Sequence, residues 1–120
     1  MLYNKLWRVN EDDLHQVKLC ITSGLKGSFT KKFENKFSKK FKSRYAISVN
    51  SGTSALHIAL LSLGIKQGDE IIVPPLTFIA TSFAPLFLGA VPIFADIEKE
   101  TFNIDPEDIK KKITKKRKAI

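Results

Sequence analysis

A chain of 120 residues, with 43% hydrophobic and 27% charged residues, has the size of one modest domain and is too apolar for a disordered tail. One cysteine, Cys20, excludes an intramolecular disulfide and a cysteine-rich metal site; His15 and His57 alone add too little for structural zinc. The net charge of +8 sits at the two ends. Residues 1–45 carry 11 basic and 4 acidic side chains, residues 46–108 carry 2 and 8, and residues 109–120 carry 7 and none.

Such basic ends suit either a nucleic-acid or acidic-membrane patch, or a solvated helix face. Seventeen of the 20 basic residues are Lys, a diffuse point charge, whereas Arg is the residue that forks onto phosphate and reads base edges. The composition therefore favours the solvated face.

The first ten residues, MLYNKLWRVN, contain no unbroken apolar run of the secretory kind, so the expected compartment is the cytoplasm. Residues 1–29 are expected to form an arm and a lead-in helix. Phe33, Phe37 and Phe41, four apart with lysines between them, predict an amphipathic helix over 30–42, its aromatic stripe turned to a core. Tyr45–Val49 reads as a short strand. Residues 50–54, Asn-Ser-Gly-Thr-Ser, form a turn and helix start, and the helix runs from Ala55 to Leu63 before Gly64 ends it.

A strand is expected at Glu70–Val73, then a loop at Pro74–Pro75, a helix from Thr77 to Leu88 and a third strand from Pro92 to Ile97. Asp105-Pro106-Glu107 has the cap, proline and acid of a helix start, carrying that helix to Ile113. From Ile71 to Ala95 no residue is charged. That is long enough to cross a bilayer, but four prolines and Gly89 break it and its flanks are acidic, so strand, loop, helix and strand, each buried, is the better parse. Alternating strands and helices mean βαβ units and a parallel sheet. Another apolar strand begins at Lys118-Ala119-Ile120, and three strands make a thin core. The expectation is thus the front part of a longer protein.

The most chemical segment is the turn at residues 50–54. A helix N-terminus offers unpaired amides and partial positive charge, Gly52 lets an anion approach, and Ser51, Thr53 and Ser54 add hydroxyls. It has neither the Lys of a phosphate-binding Walker loop nor a dinucleotide fingerprint. Plain helix capping by Ser and Thr fits the same residues as well as a phosphate monoester does. Phe78, at the carboxyl end of a strand, is placed either in the core or against a flat ring. His57 and Cys20 lie among apolar residues and read as packing residues.

The pieces Ser23-Gly24 with Gly27 and Phe33-Glu34, then Arg44-Tyr45-Ala46, Asn50 through His57, Gly64-Ile65, Gly68 through Pro74 and Thr77 through Thr81 follow one another in a distinctive order. Leu88-Gly89-Ala90, Pro92-Ile93-Phe94, Asp96-Ile97, Asn103-Ile104-Asp105 and Lys118-Ala119-Ile120 continue it. Together they resemble the amino-terminal third of a DegT/DnrJ/StrS-type sugar aminotransferase, a fold type I enzyme that uses pyridoxal 5′-phosphate (PLP).

The resemblance implies an α/β fold, a partial three-layer α/β/α arrangement with a mainly parallel sheet, residues 30–120 being an incomplete PLP-binding large domain. It gives Gly52, Thr53 and Ser54 to the cofactor phosphate and Phe78 to the pyridine ring; it assigns no catalytic residue and no metal ligand. The reaction implied is amino transfer from glutamate to a keto group of a nucleotide-linked sugar, in surface-polysaccharide or related biosynthesis, by a homodimer when full length, with no nucleic-acid or membrane partner. A sugar dehydratase of the same superfamily, with His for the catalytic Lys, is the first alternative. A basic nucleic-acid-binding module and a phosphate-binding module without PLP are the others.

The family's Ser-x-His-x-x-Lys and Glu-Asp-x-Ala segments find no match in these residues, so the fragment alone is expected to be inactive. Tyr45–Val49 would lack its neighbouring strands, and Pro85 stands where the family has an aliphatic residue.

Overall fold

The computed structural model describes residues 9–24 and 28–120. The chain forms two compact units, Met1–Ser48 and Val49–Ile120.

In the first unit, α1 spans Glu11–Thr22 and α2 spans Phe29–Phe41. A reciprocal cap starts α1: the Asp13 amide donates to Asn10 Oδ1 at 2.9 Å and the Asn10 amide donates to Asp13 Oδ2 at 3.0 Å. Glu11, Asp12 and Asp13 in its first turn complement the helix dipole. On α2 the aromatic stripe forms as predicted, with ring centroids 6.0 Å apart for Phe33–Phe37 and 4.4 Å for Phe37–Phe41. The expectation that it faces a core is corrected: all three rings are exposed, Phe41 by 60%.

Tyr45–Val49 forms no strand, a second correction. The sheet has three strands, β2, β1 and β3, and residues 45–49 pair with none of them. Ser48 is held from its side-chain neighbour instead, its amide and hydroxyl both donating to Glu34 Oε1 at 2.8 and 3.0 Å.

In the second unit, α3 (Gly52–Ser62), β1 (Glu70–Val73), α4 (Ala80–Phe87), β2 (Val91–Phe94), α5 (Pro106–Lys112) and β3 (Arg117–Ala119) follow in order. Both neighbours run parallel to the central β1, in register Glu70 with Val91 through Val73 with Phe94 on one side, and Glu70 with Arg117 on the other. Gly64, at φ 75°, carries the chain out of α3 through the left-handed region that glycine enters without strain. The apolar core gathers Ile65, Ile71, Val73 and Ala90, with Leu60, Leu88 and Ala119 packed around it. Ile72 is 1% exposed.

Burial on both faces holds for β1 but not for β2: Val91 and Phe94 are exposed because β2 lies at the edge of the sheet. The third strand is also shorter than expected, since the ladder ends where β1 ends; the last bond runs from the Ala95 amide to the Val73 carbonyl. Ile97 then bridges antiparallel to Ile104. The Asp105 side chain caps α5 through the Glu107 amide at 2.8 Å. On α5 Lys110 and Lys111 pair with Glu107 and Asp108 at 2.6 and 3.8 Å, so this lysine run is partly neutralised on its own helix. Among the described residues no helix is long and apolar enough to cross a membrane.

Ile72→Ala, in the middle of the central strand, is expected to destabilise the chain by about 2–5 kcal/mol, read from chemical denaturation. The Ser48 amide bond, followed by the Ser48 hydroxyl bond, holds the Glu34 carboxyl below the ordinary 4.5. The tie at Ser48 is therefore complete above that value and is lost as the pH falls through the lowered folded value. The protection factor of the Ser48 amide, its exchange rate relative to the intrinsic rate at each pH, is expected to fall on acidification, and Glu34→Gln to remove most of that pH dependence.

Candidate functional site

The site is built on the start of α3. Ser51 is extended, at φ −158° and ψ 158°, and its Oγ accepts from the Ser54 amide at 3.1 Å. The Ala55 amide begins the helical ladder by donating to the Ser51 carbonyl at 3.0 Å. Between them, the amides of Gly52 and Thr53 donate to no protein acceptor among the described residues. No acidic side chain lies in this turn to offset the helix N-terminus.

Gly52 has an ordinary φ, and a Cβ built on it would meet no atom within 4 Å. Neither backbone strain nor packing within the chain requires glycine here. What a side chain would take up is the open space beside the two free amides.

The second wall comes from the segment after β1. The loop keeps Phe78 out of α4, which starts at Ala80 and not at the expected Thr77. The two prolines at 74 and 75 keep the end of β1 extended, and the Thr81 amide reaches back to the Phe78 carbonyl at 3.0 Å. The Thr77 and Thr81 hydroxyls share a hydrogen bond of 3.0 Å. Phe78 is 75% exposed, so the ring is a surface and not a core residue. α3 and α4 pack on each other and leave an open cleft of about 780 Å³ whose lining includes Ser51, Gly52, Thr53, Ala59, Phe78 and Thr81.

Gly52, Thr53 and Phe78 thus meet on one cleft. Ser54 does not line it: its hydroxyl donates to Asn50 Oδ1 at 2.8 Å and accepts from the Ser51 hydroxyl at 2.9 Å. The part played by Asn50 and the cleft-side position of Thr81 were missed. The Asn-x-x-x-Ser spacing, four residues on one side of a helix start, was the available signal for the first. His57 is half-buried with its ring 5.8 Å from that of Phe87, and Cys20 is a half-buried free thiol. Among the described residues no cluster of His, Cys, Asp and Glu could hold a metal ion.

Residues 8–120 match the sequence profile of the DegT/DnrJ/EryC1/StrS aminotransferase family. The chain belongs to that family.

Within the DegT/DnrJ/EryC1/StrS family the chain is similar to GDP-perosamine synthase of Escherichia coli O157:H7, 53% identical over 95 residues that cover 79% of this chain and 26% of that protein. It is also similar to the 3-oxo-glucose-6-phosphate:glutamate aminotransferase of Bacillus subtilis, 41% identical over 106 residues, or 87% of this chain and 24% of that one. Among solved structures it resembles the GDP-4-keto-6-deoxy-D-mannose-3-dehydratase of E. coli with bound hydrated PLP, at a TM-score of 0.82 and 30% identity over 92% of this chain and 30% of that chain. The chain spans 24–30% of the length of these relatives.

Proposed function

We propose that these residues form the phosphate- and ring-holding part of a PLP-dependent aminotransferase, which aminates a keto group of a nucleotide-linked sugar with glutamate as the amino donor. The observation that carries this reading is the cleft that joins the free amides of Gly52 and Thr53 to the exposed face of Phe78. The PLP bound in the similar dehydratase supports the cofactor. The GDP-linked and glutamate-dependent names of the two relatives support the substrates.

Gly52 and Thr53 would take the phosphoryl group on two amides and the Thr53 hydroxyl, at a helix end whose dipole favours a dianion. Ser54 belongs to the same turn and holds its shape. Phe78 would lie on the ring and fix its plane, leaving the opposite face to the substrate. When bound, the cofactor supplies an electron sink that weakens the bonds at the nitrogen-bearing carbon, and the plane set by its anchors selects the bond. We place the covalent lysine in the family's Ser-x-His-x-x-Lys segment, which these 120 residues do not contain, and the activity in a cytoplasmic homodimer. The dehydratase reading stands second, supported by the structural likeness at 30% identity against 53% and 41% for the perosamine-forming and transferring relatives.

In the full-length enzyme this proposal implies, Thr53→Ala combined with Ser54→Ala is expected to weaken cofactor retention about tenfold or more; equilibrium dialysis giving unchanged affinity would overturn the assignment of the turn. The 120-residue chain mixed with PLP is expected to show no cofactor band that borohydride fixes to a single lysine. Labelling of one lysine, mapped by peptide mass, would contradict the division of labour.

A further inference from the structure

The turn before α3 contains a closed sequence of donors and acceptors. The Ser54 amide donates to Ser51 Oγ at 3.1 Å, the Ser51 hydroxyl donates to Ser54 Oγ at 2.9 Å, and the Ser54 hydroxyl donates to Asn50 Oδ1 at 2.8 Å. A serine hydroxyl has one proton, so both hydroxyl protons are spent inside the turn. The sequence ends on the Asn50 carbonyl, which can only accept. An anion needs donors, and those without a partner among the described residues are the Ser51, Gly52 and Thr53 amides, the Thr53 hydroxyl and the N–H groups of the Asn50 side chain, of which Asn50 alone does not line the cleft. The lining of the cleft agrees, since it includes Gly52 and Thr53 and omits Ser54.

On the cofactor reading above, on which this inference rests, we propose that Asn50 is a positioning residue: it draws the Ser54 hydroxyl away from the anion and locks residues 50–54, so that Ser54 serves the phosphoryl group only through Asn50. A run of aligned hydrogen bonds polarises its members, and a turn fixed before the ligand arrives spends less of the binding energy on ordering. Without the Asn50 carbonyl the Ser54 proton can turn to Ser51 Oγ, 2.9 Å away, so the hydroxyl pair can run either way and the two serines lose their fixed direction.

The test is titration of the ¹⁵N-labelled chain with pyridoxine 5′-phosphate, which has no aldehyde and so cannot attach to the surface lysines. The readout is the amide shifts of Gly52 and Thr53. Asn50→Ala and Ser54→Ala are each expected to weaken binding about threefold, and the double variant also about threefold, because both remove one linkage. Thr53→Ala is expected to weaken binding further when added to Asn50→Ala. Asn50→Asp keeps an acceptor for the Ser54 hydroxyl, so the melting midpoint is retained. Its charge is expected to cost affinity chiefly above pH ~6, where a phosphate monoester becomes a dianion, a shift of the pH profile that a merely structural residue would not cause. Ser54→Ala losing as much affinity as Thr53→Ala while Asn50→Ala binds like the parent chain would overturn the proposal, as would additive effects of Asn50→Ala and Ser54→Ala. A parent chain that gives no shift at Gly52 or Thr53 would remove the cofactor reading itself, and this inference with it.

Discussion

Four backbone N–H groups at the beginning of a helix have no carbonyl one turn back to donate to, and at α3 their disposition governs everything else in the cleft. Ser51 is the cap, and its side chain satisfies the amide of Ser54. Ala55 is the first residue to reach a helical carbonyl. The two amides between the cap and Ser54, on Gly52 and Thr53, have no partner in the described chain. With no carboxylate in the turn to neutralise it, this helix end is a small, fixed patch of positive potential. A different cap would change the geometry, and an Asp or Glu in the first turn would compete with any anionic ligand from inside the protein.

Placing a flat ring opposite that patch is the task of the sheet. β1 is the middle of three parallel strands and the most buried element of the chain, so its carboxyl end is a well-fixed point. From there the chain leaves through Pro74 and Pro75, and the next helix starts only at Ala80. Had α4 started at Thr77, Phe78 would be a first-turn residue of a helix packed against α3. The delay leaves it in the loop, and its ring exposed. The parallel sheet, the Pro-Pro loop and the late helix start are one device: a rigid strand end followed by a short non-helical stretch.

These features were unequally legible in the sequence. The turn at Ser51–Ser54, the strand at Glu70–Val73 and the stop at Gly64 each follow from local chemistry, namely a capping hydroxyl, a run of branched apolar residues and a residue free to enter positive φ. Errors gathered where the outcome depends on partners distant in sequence. Tyr45–Val49 has the composition of a strand, but a strand exists only with a neighbour to bond to. The stripe of Phe33, Phe37 and Phe41 has helical periodicity and duly forms a helix, yet periodicity says which face is apolar and not what covers it. Two readings of residues 50–54, plain capping and an anion cradle, were evenly matched on pattern. Capping proves to use one amide of the turn and leave two, so the two readings are compatible in one structure.

The same accounting explains why the turn must carry its own rigidity. α3 has no fully buried residue, and its apolar side chains Leu56, Ile58 and Leu61 are all exposed by more than 40%. Most helices in globular proteins are held by packing of an amphipathic face, since one of this length is marginal in water by propensity alone. Packing on α4 and of Leu60 against the core holds the body of α3, and the position of its first residues is set further by local bonds: the Ser51 cap, the paired hydroxyls of Ser51 and Ser54, and the Asn50 carbonyl that terminates them. Packing fixes where the helix lies; the cap fixes which way its first amides point, so the residues that would hold an anion depend on bonds made by neighbours that never touch it.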